Sequence, residues 1–147
     1  MNALSDPQSY FAAYQMSFLV LAVLALMVVV QNFLTAPLAF IKEEQVPGMP
    51  LRFDHAHLSF RALRTYANSA ESFPAFGWAL LAAIVSGAPA GWVNGLALAF
   101  LGFRLAFWVI YYSGVGRIAG GPRTLCFVGG LLANAALAVM AIYAVLS

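Results

Sequence analysis

Four long apolar stretches dominate the chain, and polar or Gly- and Pro-containing segments separate them. They cover residues 17–41, 61–85, 92–112 and 124–146, and the second becomes continuously apolar only after Phe73. A membrane-spanning helix needs about 20 mostly apolar residues. Helices are the expected form, because lipid offers unpaired backbone groups no hydrogen-bond partner. The pattern predicts an all-α integral membrane protein, a four-transmembrane-helix bundle formed by a single domain over residues 1–147.

The composition supports this prediction. Hydrophobic residues make up 63% of the chain and charged residues 8%, against about 25% charged residues in soluble domains. The mean hydropathy is +0.88. These values exclude a soluble globular domain and a disordered chain, and the net charge of +2 is too small for a nucleic-acid-binding surface. Membrane lipid is therefore an expected partner, and nucleic acid is not.

The basic residues are concentrated in two of the three loops. Only Arg104 lies away from the segments 42–60 and 113–123 and their flanks; the others are Lys42, Arg52, Arg61, Arg64, Arg117 and Arg123. Cytoplasmic loops of membrane proteins carry the excess of Lys and Arg. We therefore predict a multi-pass protein whose loops 42–60 and 113–123 are cytoplasmic and whose termini both lie on the opposite side.

The second predicted helix carries a polar stripe. Arg61, Arg64, Asn68 and Glu71 are spaced three, four and three residues apart, which places them on one helix face. Each charge at membrane depth costs about 2.5–3.5 kcal/mol on insertion scales. The arginines have two interpretations, since they either extend to lipid headgroups or line a pocket. The shorter Asn68 and Glu71 side chains cannot reach the headgroups, so we expect them to face inward.

The third predicted helix offers a partner for this stripe. Arg104 interrupts an apolar run, and counting about 1.5 Å per residue puts it at nearly the same membrane depth as Glu71. We therefore predict a buried ion pair between Glu71 and Arg104, which serves either helix packing alone or a binding site.

Further polar residues share the cytoplasmic half of the predicted bundle. Tyr111 follows Arg104 by seven residues on the same face, and Arg123 opens the fourth helix. Each alone is typical of a membrane interface. Together with the stripe they predict a pocket with surplus positive charge, suited to a carboxylate-bearing anion and a lipophilic small molecule or lipid. His55 and His57 have no further ligand at metal-site spacing, so no metal is expected.

Three segments resemble the MAPEG family, the membrane-associated proteins in eicosanoid and glutathione metabolism. The stretch from Arg64 through Asn68 and Glu71 to Pro74 and Phe76 is similar to the signature of the family's second helix. Arg104 with Tyr111 resembles its third-helix motif, and the segment 121–124, Gly-Pro-Arg-Thr, resembles the start of its fourth helix.

The resemblance implies a homotrimer of four-helix subunits that binds glutathione, as co-substrate, between neighbours near the cytosolic face. It also implies a microsomal glutathione transferase or peroxidase that acts on lipophilic electrophiles entering from the bilayer. The family residues that match Arg64, Asn68, Glu71 and Tyr111 hold the tripeptide, and the one that matches Arg123 activates the thiol. Arg104 lies in the predicted pocket and Arg61 on the same polar stripe, and we count both with the glutathione-binding residues.

The chain departs from the family pattern in places. Phe107 stands where many members have Tyr or His, and Ser72 where some have Tyr. The spacing from Tyr111 to Arg123 is about three residues longer than in the animal members, so Arg117 is the alternative arginine for the thiol.

The sequence leaves two other functions to compare with an enzyme. A non-catalytic lipid-binding scaffold of the same fold is the alternative to an enzyme. A four-helix multidrug transporter is disfavoured because the segment 17–41 contains no carboxylate.

Overall fold

The protein is all-helical throughout the part that the computed structural model describes, which is residues 6–42, 55–115 and 120–147, without the side chains of 39–42. Five helices follow one another in this part of the chain: α1 (Pro7–Ala13), α2 (Gln15–Lys42), α3 (Leu58–Val85), α4 (Ala90–Ser113) and α5 (Pro122–Leu146). The predicted segments lie within α2 to α5, and each of these helices begins two or three residues earlier than predicted.

The short helix α1 was not predicted. Asp6 caps it by accepting a hydrogen bond from the Gln8 N–H at 3.0 Å, and Pro7 occupies the first helical position. Both features favour a helix start. Tyr14 leaves the helical conformation (φ −104°, ψ 16°), and α2 begins at the next residue. The chain therefore enters the bundle through a helical segment that precedes the first long helix.

Three of the described helices are long and apolar enough to cross a membrane: Gln15–Leu38 within α2, Ala90–Ser113 and Pro122–Leu146. The fourth long helix, α3, has 28 residues, as many as α2. Its first half carries Arg61, Arg64 and Glu71, which lower its mean hydropathy. The protein is thus a multi-pass membrane protein in which α3 is the most polar of the long helices.

Helices α3 and α4 pack against each other, and each of them also packs against both α2 and α5. Phe76 of α3 stacks on Phe100 of α4 with ring centroids 4.1 Å apart and planes nearly parallel, at 6°. The Phe103 ring of α4 packs directly on Gly129 of α5, where a Cβ atom would lie 2.5 Å from the ring. Small residues at such crossings are typical of helix packing in membranes.

A hydrogen-bond network ties α1 and α2 to the turn between α3 and α4, an end of the bundle that we name the turn end. The Tyr14 hydroxyl donates to the Ala88 carbonyl at 2.5 Å, and that of Tyr10 donates to the Ile84 carbonyl. Asn94 accepts from Ser17 and donates to the backbone of α1. The opposite end, where α3 and α5 begin and α4 ends, is the loop end and carries most of the predicted site.

Candidate functional site

Arg104 is a buried cation in the interface between α3 and α4. It is 3% exposed, and its guanidinium donates through Nη1 to Asn68 Oδ1 at 2.7 Å and through Nη2 to Ser69 Oγ at 3.1 Å. The guanidinium carbon also lies 5.1 Å from the centroid of the Phe107 ring, within the range of a cation–π contact. Neutral oxygens and an aromatic face therefore surround this charge.

Ser69 organises that interface although its hydroxyl is small. The hydroxyl donates to the Thr65 carbonyl at 2.9 Å and accepts from Arg104 and from the Trp108 indole N–H, the latter at 2.8 Å. One donated and two accepted bonds use the whole capacity of a serine hydroxyl. Ser69 thus fixes the rotation of α4 against α3 at this level.

The predicted ion pair between Glu71 and Arg104 is not formed. Glu71 is exposed, and the guanidinium of Arg104 is directed to Asn68 and Ser69 instead. The reason is rotation about the axis of α3. At about 100° per residue, Glu71 lies about 60° beyond Asn68 on the side away from Ser69, although its depth is similar to that of Arg104. The depth estimate was insufficient because it ignored this angle.

A cleft of about 220 Å³ opens beside Arg104 between α3, α4 and α5. Its walls combine two amides, one carboxylate, one hydroxyl and one guanidinium with apolar side chains. The lining residues are Asn68, Glu71, Ser72, Ala75, Phe100, Arg104, Phe127, Gly130, Leu131 and Asn134. One cavity is therefore lined by three of the predicted site residues, Asn68, Glu71 and Arg104.

A second group of predicted residues meets at the loop end. Tyr111 is 8% exposed; its hydroxyl lies 3.4 Å from Nδ1 of His55, and the Arg123 guanidinium carbon lies 4.6 Å from the centroid of its ring. Helices α4 and α5 thus bring Tyr111 and Arg123 into contact across the bundle. The Arg123 guanidinium therefore lies over an aromatic ring at the loop end, where α5 begins.

Arg61 contacts the backbone of the segment that leads into α3. Its Nη1 donates to the carbonyls of His55 and Ala56 at 2.7 and 2.8 Å. Gly114, with φ at +70°, ends α4 against the Arg61 side chain, and a Cβ atom there would lie 3.2 Å from the guanidinium carbon. Arg61 therefore anchors this segment to the end of α4. Its Nε is buried and has no hydrogen-bond partner among the residues that the structure describes.

Arg64 lies between the two groups on α3 and is exposed. No hydrogen bond joins it to another residue of the described segments. The alternative thiol arginine, Arg117, falls within 116–119 and lies outside the described residues, as do residues 43–54 of the first loop.

Sequence reasoning missed three residues of the site: Ser69, Trp108 and Asn134. Two of them had a detectable signal. Trp108 follows Arg104 by four residues and so shares its helix face, and Asn134 is a single amide within the apolar run of α5. Ser69 had no such signal, because serine is common in membrane helices and its role depends on the rotation of α4.

The geometry of the polar stripe, the buried arginine and the opening of α5 agrees with a comparison against protein families. A model of the MAPEG family matches residues 10–143. The chain belongs to the MAPEG family. No curated protein and no solved structure matches it. Membership of the MAPEG family makes this a membrane protein with a role in glutathione or eicosanoid metabolism, and the match includes both groups of site residues.

Proposed function

We propose that the protein is a membrane-bound, glutathione-dependent transferase or peroxidase that acts on lipophilic electrophiles. Glutathione would bind along the polar face of α3, with Arg61, Arg64, Asn68, Glu71, Arg104 and Tyr111 as its binding residues, and Arg123 would stabilise its thiolate. The proposal rests on MAPEG membership together with a single structural observation: a charged, exposed face of α3 beside a cleft that contains a buried arginine.

The charges on that face match those of glutathione. Arg64 and Glu71 are both exposed on a helix that packs among three apolar spans. Charged side chains at membrane depth are costly unless they are paired or solvated. A tripeptide with two carboxylates and one ammonium group offers partners of both signs, and an arginine can bind a carboxylate through two hydrogen bonds.

The chemistry would take place at the loop end. A guanidinium near a thiol favours the thiolate, which is the reactive form. In a transferase the thiolate sulfur bonds to an electrophilic carbon and the leaving group departs. In a peroxidase it attacks the terminal oxygen of a hydroperoxide and releases an alkoxide, which takes up a proton. A second glutathione then reduces the resulting sulfenic acid, forming a disulfide and water. The aromatic contact of Arg123 with Tyr111 supports this position for the cation.

A homotrimer belongs to the same proposal. The cleft of one subunit holds about 220 Å³, whereas sites for small molecules usually have about 300–1,000 Å³. Glu71 and Arg64 also lie exposed on the subunit surface. A neighbouring copy would cover these charges and enlarge the cleft, as the family resemblance implies.

We further propose that α3 crosses the membrane as the fourth span and that the loop end is cytoplasmic. The length of α3 equals that of α2, and its second half is apolar. The basic residues next to the loops support the orientation, since cytoplasmic loops carry the excess of Lys and Arg. Glutathione from the cytosol would then reach the site directly.

The second candidate is a non-catalytic scaffold that binds lipid in the same cleft. The observation that favours it is the hydrogen bonding of Arg104, whose guanidinium already has two protein partners. In this case the polar residues would serve helix packing, and the thiol of added glutathione would stay protonated. Absence of a thiolate absorbance band on adding glutathione to the purified protein would favour the scaffold.

The test is glutathione turnover in detergent with an aryl halide and with a lipid hydroperoxide. Arg123→Ala is expected to lose most of the activity because the thiolate loses its cation, whereas Arg117→Ala, the matched control, should keep nearly all of it. Unchanged melting temperatures would show that both variants fold. Loss of activity in Arg117→Ala alone would contradict the role of Arg123, and no turnover by the wild type would contradict the enzyme.

A further inference from the structure

The deep part of the cleft contains a polar group that neither α3 nor α4 uses. Asn134 lies on α5, in a run of otherwise apolar residues, and lines the cleft beside Phe100 and Leu131. Its Oδ1 atom is buried and has no hydrogen-bond partner among the described residues. A buried acceptor that lacks a donor is destabilising, so such a group in a cavity calls for an explanation.

The nearby polar residues of the cleft do not supply the missing donor. The Ser72 hydroxyl donates to the carbonyls of Asn68 and Ser69, at 2.8 and 3.2 Å. The Arg104 guanidinium is directed to the side chains of the same two residues. No hydrogen bond from these donors or from the Asn68 amide nitrogen reaches Asn134 Oδ1, which has no partner among the described residues. The oxygen is buried in the cleft, and rotation of the amide would present it to an occupant.

We propose that Asn134 is a specificity-determining residue that accepts a hydrogen bond from a hydroxyl group on the lipophilic co-substrate. This inference rests on the proposed function, since it names the class of lipophile: an apolar chain or ring that carries one hydroxyl. The class follows from the surroundings, because Ala75, Phe100 and Leu131 offer only apolar contact while the amide oxygen requires a donor.

The position of Asn134 determines where that hydroxyl lies. Asn134 follows Arg123 by eleven residues on one continuous helix, which is about 16 Å along the axis. The hydroxyl would therefore bind far from the thiolate, and the electrophilic end of the same molecule would extend toward the loop end. A hydroxyl close to the reacting carbon would not reach Asn134.

Equilibrium binding without glutathione tests the inference independently of catalysis. The probes are 12-hydroxystearate and stearate, which differ by one hydroxyl, measured in detergent on the wild type and on Asn134→Leu, which keeps the size of the side chain and removes its polar atoms. We expect the preference for the hydroxylated acid to be about three- to tenfold larger in the wild type, the worth of one hydrogen bond. Comparing the two proteins cancels partitioning of the probes into micelles.

Two further variants serve as controls. Asn134→Thr retains a hydroxyl acceptor and should recover part of the preference, and Val139→Leu, on the exposed side of α5, should behave as the wild type does. Asn134→Leu should keep or raise the melting temperature, because the acceptor it removes has no partner.

Equal preferences in the wild type and Asn134→Leu would overturn the inference. So would a loss of stability or of the oligomer in that variant, since the amide would then serve packing within or between subunits. If the wild type shows no glutathione turnover but still prefers the hydroxylated acid, the proposed enzyme is refuted. The binding role of Asn134 would remain supported in that case.

Discussion

At the scale of single residues, Arg104 shows how a buried cation can be held without a carboxylate. Two neutral oxygens and an aromatic ring surround it, and Ser69 supplies one of those oxygens while it also accepts from Trp108. Hydrogen bonds to charged groups are worth about 1.5–3 kcal/mol, more than neutral ones. The site therefore depends on a small hydroxyl as much as on the charged residues.

Ser69→Ala is predicted to destabilise the protein by about 2–4 kcal/mol, because the substitution leaves a buried guanidinium N–H and a buried indole N–H without an acceptor. Thermal unfolding in detergent measures the effect. Ser72→Ala is the matched control, since the Ser72 hydroxyl bonds only to carbonyls of its own helix. Its expected cost is below about 0.5 kcal/mol. Equal melting temperatures for the two variants would contradict the role given to Ser69.

The spacing of Arg64, Asn68 and Glu71 was sufficient to predict one polar face on α3, because helical periodicity alone decides it. The partner of Arg104 was not predictable in the same way. It depends on how α3 and α4 are rotated about their axes. Counting residues along a sequence estimates the membrane depth of a side chain but not the angle at which one helix faces another. The prediction of an ion pair with Glu71 was wrong for this reason, and the hydroxyl of Ser69 was overlooked.

At the scale of helices, hydropathy located the four long helices to within three residues at their starts. It could do so because a helix that spans a membrane needs a long run of mostly apolar residues. It did not identify α1, which is short and depends on the Asp6 cap and Pro7. Nor did it identify the contact between α4 and α5 at Gly129. A glycine pair in an apolar run has many possible neighbours, and only packing selects Phe103.

Gly129→Ala is predicted to destabilise the protein by about 1–2 kcal/mol, because the new methyl group would displace the Phe103 ring. The matched control is Gly95→Ala on α4, where a Cβ atom meets nothing within 4 Å. That control should be neutral or slightly stabilising, since alanine favours helix more than glycine does. Unfolding measurements on Gly129→Ala, Phe103→Ala and the double variant test the contact. A penalty for Gly129→Ala that persists without the Phe103 ring would refute it.

At the scale of the whole molecule, the charged face of α3 is the feature that packing within one subunit does not explain. Arg64 and Glu71 are exposed beside a cleft of one subunit that is small for a tripeptide such as glutathione. We propose that this face binds glutathione and that a neighbouring subunit completes the site. Family membership supports the assignment, and the concentration of basic residues in and beside two loops supports the proposed access from the cytosol.

The most direct test of that assignment is calorimetric binding of a glutathione analogue with serine in place of cysteine, which separates tripeptide binding from thiol chemistry. We predict saturable binding by the wild type that Glu71→Gln and Arg64→Gln each weaken by about tenfold or more, the effect of losing one charge-assisted hydrogen bond, with unchanged melting temperatures. Wild-type affinity in both variants, or no binding by the wild type, would contradict the account.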